Sequence, residues 1–156
     1  MERSSIVIGF AELVDLPEWG IVGLRGKIDT GAKTSALHVS NIREIGNGRV
    51  GFDVRLHRRK IDRTVHVEAK ILRRGRVRPS SGDAQVRLFV ATKIRIGSIE
   101  REIELSLVDR ENMIFRLLVG RTAIGSGVLV DPSRRYVLTK RATSRKKLRK
   151  KSLRPH

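Results

Sequence analysis

The stretch Lys27-Ile28-Asp29-Thr30-Gly31-Ala32-Lys33-Thr34-Ser35-Ala36-Leu37-His38 sets a carboxylate, a hydroxyl and a glycine directly after an apolar run. The residues before it, Ile21 to Ile28, read as a strand. A turn at Asp29-Thr30-Gly31 would expose the Asp29 carboxylate while the strand behind it stays rigid. Gly31 allows a tight backbone and lets its N–H approach that carboxylate. The Thr30 hydroxyl can hydrogen-bond across a symmetric interface and lock two such turns together. By itself the tripeptide is also compatible with an ordinary Asx-type turn.

Outward from this turn the dominant period is two. Phe52, Val54 and Leu56 alternate with polar neighbours, as do Val65, Val67, Ala69 and Ile71. Val86, Leu88 and Val90 repeat the pattern, followed by Ile94 and Ile96, then Ile103, Leu105 and Leu107. Alternation of this kind marks half-buried strands. Gly46-Asn47-Gly48, Ser81-Gly82-Asp83 and Gly97-Ser98 supply turns between them. The spacing predicts an all-β barrel or sandwich. One short helical segment is expected near Arg121-Thr122-Ala123-Ile124, after the apolar run Leu117-Leu118-Val119-Gly120. No internal repeat is present.

An Asp-Thr-Gly-Ala turn after an apolar strand is how retroviral-type aspartic peptidases present their carboxylate. In such folds a strand of two apolar residues and a glycine packs beneath the loop, and Leu118-Val119-Gly120 has that form. One carboxylate cannot perform this hydrolysis alone. Two held close cannot both ionise, so they share a proton and titrate as a pair. One then acts as general base on water and the other as general acid toward the amide. A single Asp-Thr-Gly in one short domain implies that the second copy comes from another chain, in a homodimer.

Length and composition bound the rest. The 156 residues suit one domain, and 39% apolar content suffices for one core. Aromatic residues make up only 4%, so Val, Ile and Leu must fill most of that core. No run approaches the roughly 18 apolar residues of a membrane helix. Met1-Glu2-Arg3-Ser4-Ser5-Ile6 lacks the apolar stretch of a signal peptide. Cysteine is absent, which excludes disulfides and thiolate metal sites and fits a cytoplasmic location. The formal charge is +18, and nine of the 34 Lys and Arg residues lie from Lys140 onward, where there is no Asp or Glu. Residues 1–139 therefore read as the folded domain. Residues 140–156 read as a basic, disordered tail. The domain keeps 25 basic against 16 acidic side chains, so two basic features call for a polyanionic partner. Nucleic acid, a ribosome and an acidic peptide all qualify.

The motifs taken together resemble the RimK-associated "ATP-dependent zinc protease" family, also called RimB, whose members are similar to retropepsins. The carrying segments are Lys27 to His38, Val77-Arg78-Pro79-Ser80-Ser81-Gly82, Met113-Ile114-Phe115-Arg116-Leu117-Leu118-Val119-Gly120-Arg121-Thr122-Ala123 and Val130-Asp131-Pro132. They span about residues 5 to 139 in the family's order. Lys33 stands where Arg is usual, and Pro79 where Ser is usual. The resemblance implies a retropepsin-like closed barrel. It also implies a peptidase that trims the poly-glutamate tail which RimK-type ligases add to a ribosomal protein. On that reading Asp29, Thr30 and Gly31 are catalytic. Ala32, Lys33, Thr34, Arg78, Ser80, Ser81, Gly82 and Arg121 contact substrate, with Lys33, Arg78 and Arg121 as carboxylate binders. Ala32 offers no hydroxyl to stabilise an ionised carboxylate, which predicts an activity optimum nearer neutral than acid.

Other chemistry finds less support. His38, His57, His66 and His156 form no His-Glu-x-x-His pair, and no zinc or other metal is expected. His66 and Glu68 share a strand face, a common pairing. No Gly-x-x-x-x-Gly-Lys-Ser/Thr loop is present, so no ATP or other cofactor is expected either. Arg73 to Gln85, a polar segment between strands, is the candidate substrate-covering flap. The competing reading is a basic β-barrel that binds RNA or the ribosome without catalysis. Such modules usually carry aromatic stacking residues on their strands, whereas Phe52, Phe89 and Phe115 sit in core-like patterns. The basic tail could still dock on RNA or a ribosome.

Overall fold

The computed structural model describes residues 5–57, 63–78, 83–109 and 114–139. The alternating segments form strands β1 (Ile6–Gly9), β2 (Ala11–Leu16), β3 (Ile21–Asp29), β4 (Ser35–Gly46), β5 (Arg49–Arg55) and β6 (Thr64–Lys70). They continue as β7 (Arg73–Val77), β8 (Gln85–Ile96), β9 (Ile99–Asp109), β10 (Leu117–Gly120) and β11 (Val128–Asp131). A 3-10 turn, Pro17–Trp19, leads into β3, and a one-turn helix, α1, covers Arg121–Ile124.

Six strands close into a barrel in the order β10-β3-β2-β8-β9-β4, because β4 pairs back onto β10. The period-two pattern left a barrel or a sandwich open; the strands form the closed barrel that the resemblance implied, with the short helix where it was predicted. β10 runs parallel to β3, with Val119 beside Ile28 and Gly120 beside Asp29. It runs antiparallel to β4, with Leu117 beside Leu37. The strand thus lies between the two strands that lead into and out of the Asp29 turn.

Leu16, Ile21, Leu37, Ile94, Ile96, Leu105 and Leu117 are fully buried and fill the interior. Burying each such side chain contributes about 1.5–3 kcal/mol. Phe52 is also fully buried and meets Trp19 edge-on, with ring centroids 5.5 Å apart. β1 and β11 make a separate parallel ribbon.

Two segments differ from the sequence expectation. Val86-Leu88-Val90 and Ile94-Ile96 belong to one strand, β8, in which buried Thr92 takes the inward position between Val90 and Ile94. Val86 is 66% exposed, because β8 leaves the barrel there to pair with β7. The candidate flap is accordingly less irregular than expected. Arg73–Val77 is itself a strand, in register with β8 from Phe89 to Gln85. Pro79, Ser80, Ser81 and Gly82 lie outside the described residues, as does the tail from Lys140 onward.

β4 serves two sheets. Ser35 to Val39 pair with β9, whereas Ser40 to Gly46 pair with β5 across a register shift. Asn41 sits at that shift with φ 52°, a conformation that asparagine tolerates better than most residues. Its amide donates to Asp53 Oδ2 at 2.8 Å, and His66 Nδ1 lies 2.9 Å from Asp53 Oδ1. The Asn41 amide first, and His66 second, hold the Asp53 carboxyl below its ordinary pKa. A depressed folded-state pKa contributes stability above the unfolded value, and that contribution is lost as pH falls through the folded one. Asp53→Asn should therefore lower the melting temperature at pH 6 and have less effect near pH 3. Equal losses at both pH values would contradict this.

Candidate active site

The Asp29 turn is built from three directions. β3 ends at Asp29, which is partly buried at the mouth of the strand. Gly31 N–H donates to Asp29 Oδ1 at 3.1 Å, and Ala32 N–H to the Asp29 carbonyl at 3.2 Å. A methyl group on Gly31 would stand 3.3 Å from Asp29 Oδ1, a tight contact with the carboxylate.

The second direction is β10. A methyl group on Gly120 would lie 2.5 Å from the Thr34 carbonyl oxygen, leaving room for no side chain. Gly120 N–H donates to the buried Ser35 Oγ at 3.0 Å, which ties the end of β10 to the start of β4. The apolar-apolar-glycine strand therefore packs against the loop, as its sequence suggested.

The third is α1, whose first two residues grip four consecutive carbonyls of the loop. Arg121 Nη1 reaches the Thr30 oxygen at 3.5 Å and the Gly31 oxygen at 3.2 Å. Arg121 N–H donates to Ala32 O at 2.8 Å. Thr122 N–H and Oγ1 both donate to Lys33 O, at 3.2 Å and 2.7 Å. With its carbonyls held, the loop is fixed in the geometry that presents Asp29.

The structure thus gathers Asp29, Thr30, Gly31, Ala32, Lys33, Thr34 and Arg121 at one place. Thr30, Gly31 and Lys33 are exposed, Ala32 and Thr34 half-buried. Arg78 is exposed just past the end of β7, and Ser80, Ser81 and Gly82 fall outside the described residues. Sequence reasoning missed Ser35 and Thr122, and it overlooked the loop-holding bonds of Arg121. Ser35 follows Lys33-Thr34 and Thr122 follows Arg121, so neither stands out as a polar residue within an apolar run.

Among the described residues, no three His, Asp or Glu side chains are grouped to hold a metal ion. His38 is buried on β4, with its backbone N–H on Arg116 O at 2.8 Å. His66 faces Asp53, across the strand pair from its own position on β6. Among the described residues, no helix is long and apolar enough to cross a membrane.

A family model described as "Retropepsin-like aspartic endopeptidase RimB" matches residues 7–141. A probable alpha-L-glutamate ligase of Shewanella pealeana is 31% identical over 88% of this chain, which covers 31% of that protein. A protein of the same description from Desulfotalea psychrophila is 33% identical over 81% of this chain, covering 28% of its length. The chain therefore spans under a third of these relatives. A crystal structure of a Legionella pneumophila protein of unknown function superposes with a TM-score of 0.69 at 28% identity, covering 86% of this chain and 98% of that one. By the extent of the family match, the chain belongs to the RimB-like family of retropepsin-like aspartic endopeptidases.

Proposed function

We propose that this protein is a dimeric aspartic peptidase that cuts acidic peptides, trimming glutamate tails of the kind a RimK-type ligase adds to a ribosomal protein. The observation that carries the reading is the Asp29 turn, whose carboxylate is presented at a loop held by β10 and by α1. The glutamate ligases among the relatives support the substrate class, and so does the basic excess of the domain.

In the proposed reaction the Asp29 carboxyls of two chains share one proton. The ionised member takes a proton from water as the water oxygen attacks the scissile carbonyl carbon. The protonated member delivers its proton to the departing amide nitrogen, and the C–N bond breaks. Gly31 N–H orients the carboxylate, and the Thr30 hydroxyl joins the two turns. Ala32 and Thr34 line the substrate backbone, while Lys33 and Arg78, with Ser80, Ser81 and Gly82, receive substrate side chains and carboxylates. Arg121 acts first as the residue that holds the loop.

The test is cleavage of a peptide ending in several glutamates, followed by mass spectrometry at neutral pH. Sedimentation is run at the assay concentration. Shortening of the glutamate tail by a chain that sediments as a dimer is expected. Full activity from a monomer would contradict the shared dyad. Arg121→Ala should lower kcat by about 10²-fold, the cost of displacing reacting groups by about 1 Å, with KM little changed. Arg121→Lys should restore part of the rate. A raised KM at unchanged kcat would assign Arg121 to substrate binding instead.

A further inference from the structure

The excess charge of the domain is unevenly placed. Residues 55–85 hold ten Lys and Arg against three Asp and Glu, so the remaining 108 residues of 1–139 are nearly balanced. Among the described residues, β7 is hydrogen-bonded as a strand on one side only, to β8. A strand edge of this kind is a template for a further extended chain.

β7 carries its arginines in strand period. Arg74 and Arg76 pair in register with Leu88 and Val86 and so share one face of the hairpin, and exposed Arg78 follows in the same alternation. Alternate residues of a strand repeat every 6.4–6.8 Å or so. An extended glutamate homopolymer presents carboxylates on each face at the same interval. Cations and anions would therefore stay in step along the edge, and a homopolymer could occupy any register.

One position of this row already holds a carboxylate. Arg74 forms a two-point ion pair with Glu44 of β4, Nη1 to Oε2 at 3.3 Å and Nη2 to Oε1. Among the described residues, Arg76 and Arg78 have no carboxylate within ion-pair distance.

We propose that the free edge of β7 is a docking strand for an extended acidic polypeptide, which adds to the sheet and sets its carboxylates against Arg76 and Arg78. The proposal rests on the acidic-peptide reading above and extends that substrate's holding place from Arg78 along the hairpin. Bound this way, a glutamate tail stays on the enzyme between cuts.

The test uses the full chain carrying Asp29→Asn, so that binding is measured without cleavage. The probe is a fluorescent ten-residue oligoglutamate. Anisotropy should show affinity falling by about tenfold or more on adding Arg76→Glu and Arg78→Glu, with strong weakening by salt. Hydrogen exchange should show the peptide protecting backbone amides of residues 73–77. Unchanged affinity, or protection confined to the Asp29 loop, would overturn the proposal and leave the arginines as guards of an exposed edge. An RNA hairpin that protects the same amides more strongly than oligoglutamate would overturn it in favour of a nucleic-acid surface. If oligoglutamate protects β7 while the unmutated chain cuts no glutamate-tailed peptide, the docking strand stands and the peptidase reading fails.

Discussion

Glu12→Ala should leave the protein marginally folded or unfolded at room temperature. Glu12 is fully buried on β2, in the inward phase shared by Val14 and Leu16. Its carboxylate accepts from four backbone N–H groups: Gly9 at 2.6 Å, Val137 at 3.0 Å, Leu138 at 3.2 Å and Thr139 at 2.9 Å. The Thr139 hydroxyl adds a fifth bond at 2.6 Å and itself accepts from Leu13 N–H at 2.8 Å. Alanine would strand these donors, of which the Gly9 N–H is buried and the others are part-buried. Each unsatisfied buried donor costs about 1–3 kcal/mol. One buried and four part-buried donors together cost a large share of a domain's stability, about 5–15 kcal/mol.

The expected result is a melting temperature lowered by about 10 °C or more, or no cooperative transition at all. Glu12→Gln keeps the volume but turns one acceptor into a donor facing other donors, so it should fall between alanine and wild type. The same clamp sets where the chain can be shortened. Ending it after Thr139 should preserve the melt, whereas ending it after Arg135 removes the donors at 137–139. That second truncation combined with Glu12→Ala should cost less than the sum of the two, since both remove the same contacts. A stable Glu12→Ala variant would show that the C-terminal segment is held by other means.

Much of the architecture was legible because it is local. The alternations in Phe52-Val54 and Leu105-Leu107 mark their strands without reference to the rest of the chain. So do the glycine turns at Gly46-Asn47-Gly48 and Gly97-Ser98. The helix at Arg121 follows directly from the end of an apolar strand. The Asp29 turn was legible because its chemistry is carried by three adjacent residues and a glycine-ended strand. What was not legible depends on partners far along the chain. Nothing near Glu12 reveals that its donors lie at Val137, Leu138 and Thr139. The bonds from Arg121 and Thr122 to the carbonyls of Thr30 to Lys33 cross about ninety residues and involve backbone atoms that every residue type shares. Thr92 escaped notice because a β-branched hydroxyl residue fits an inward strand position as well as an outward one. The strand at Arg73–Val77 escaped notice because arginines occupy both of its faces and erase the alternation.

Asp29→Asn tests the central claim most directly. The substitution preserves shape and the Gly31 N–H contact while removing the acid that the proposed dyad must share. General acid–base catalysis contributes about 10²–10⁴-fold, and a dyad that has lost both carboxyls loses base and acid together. A glutamate-tailed peptide is incubated with wild type and with Asp29→Asn, each with and without a chelator, and products are counted by mass spectrometry. The account predicts an active wild type, an inactive variant of unchanged melting temperature, and no effect of the chelator. Cleavage by Asp29→Asn at the wild-type rate, or loss of wild-type activity in chelator, would contradict it and place the chemistry elsewhere.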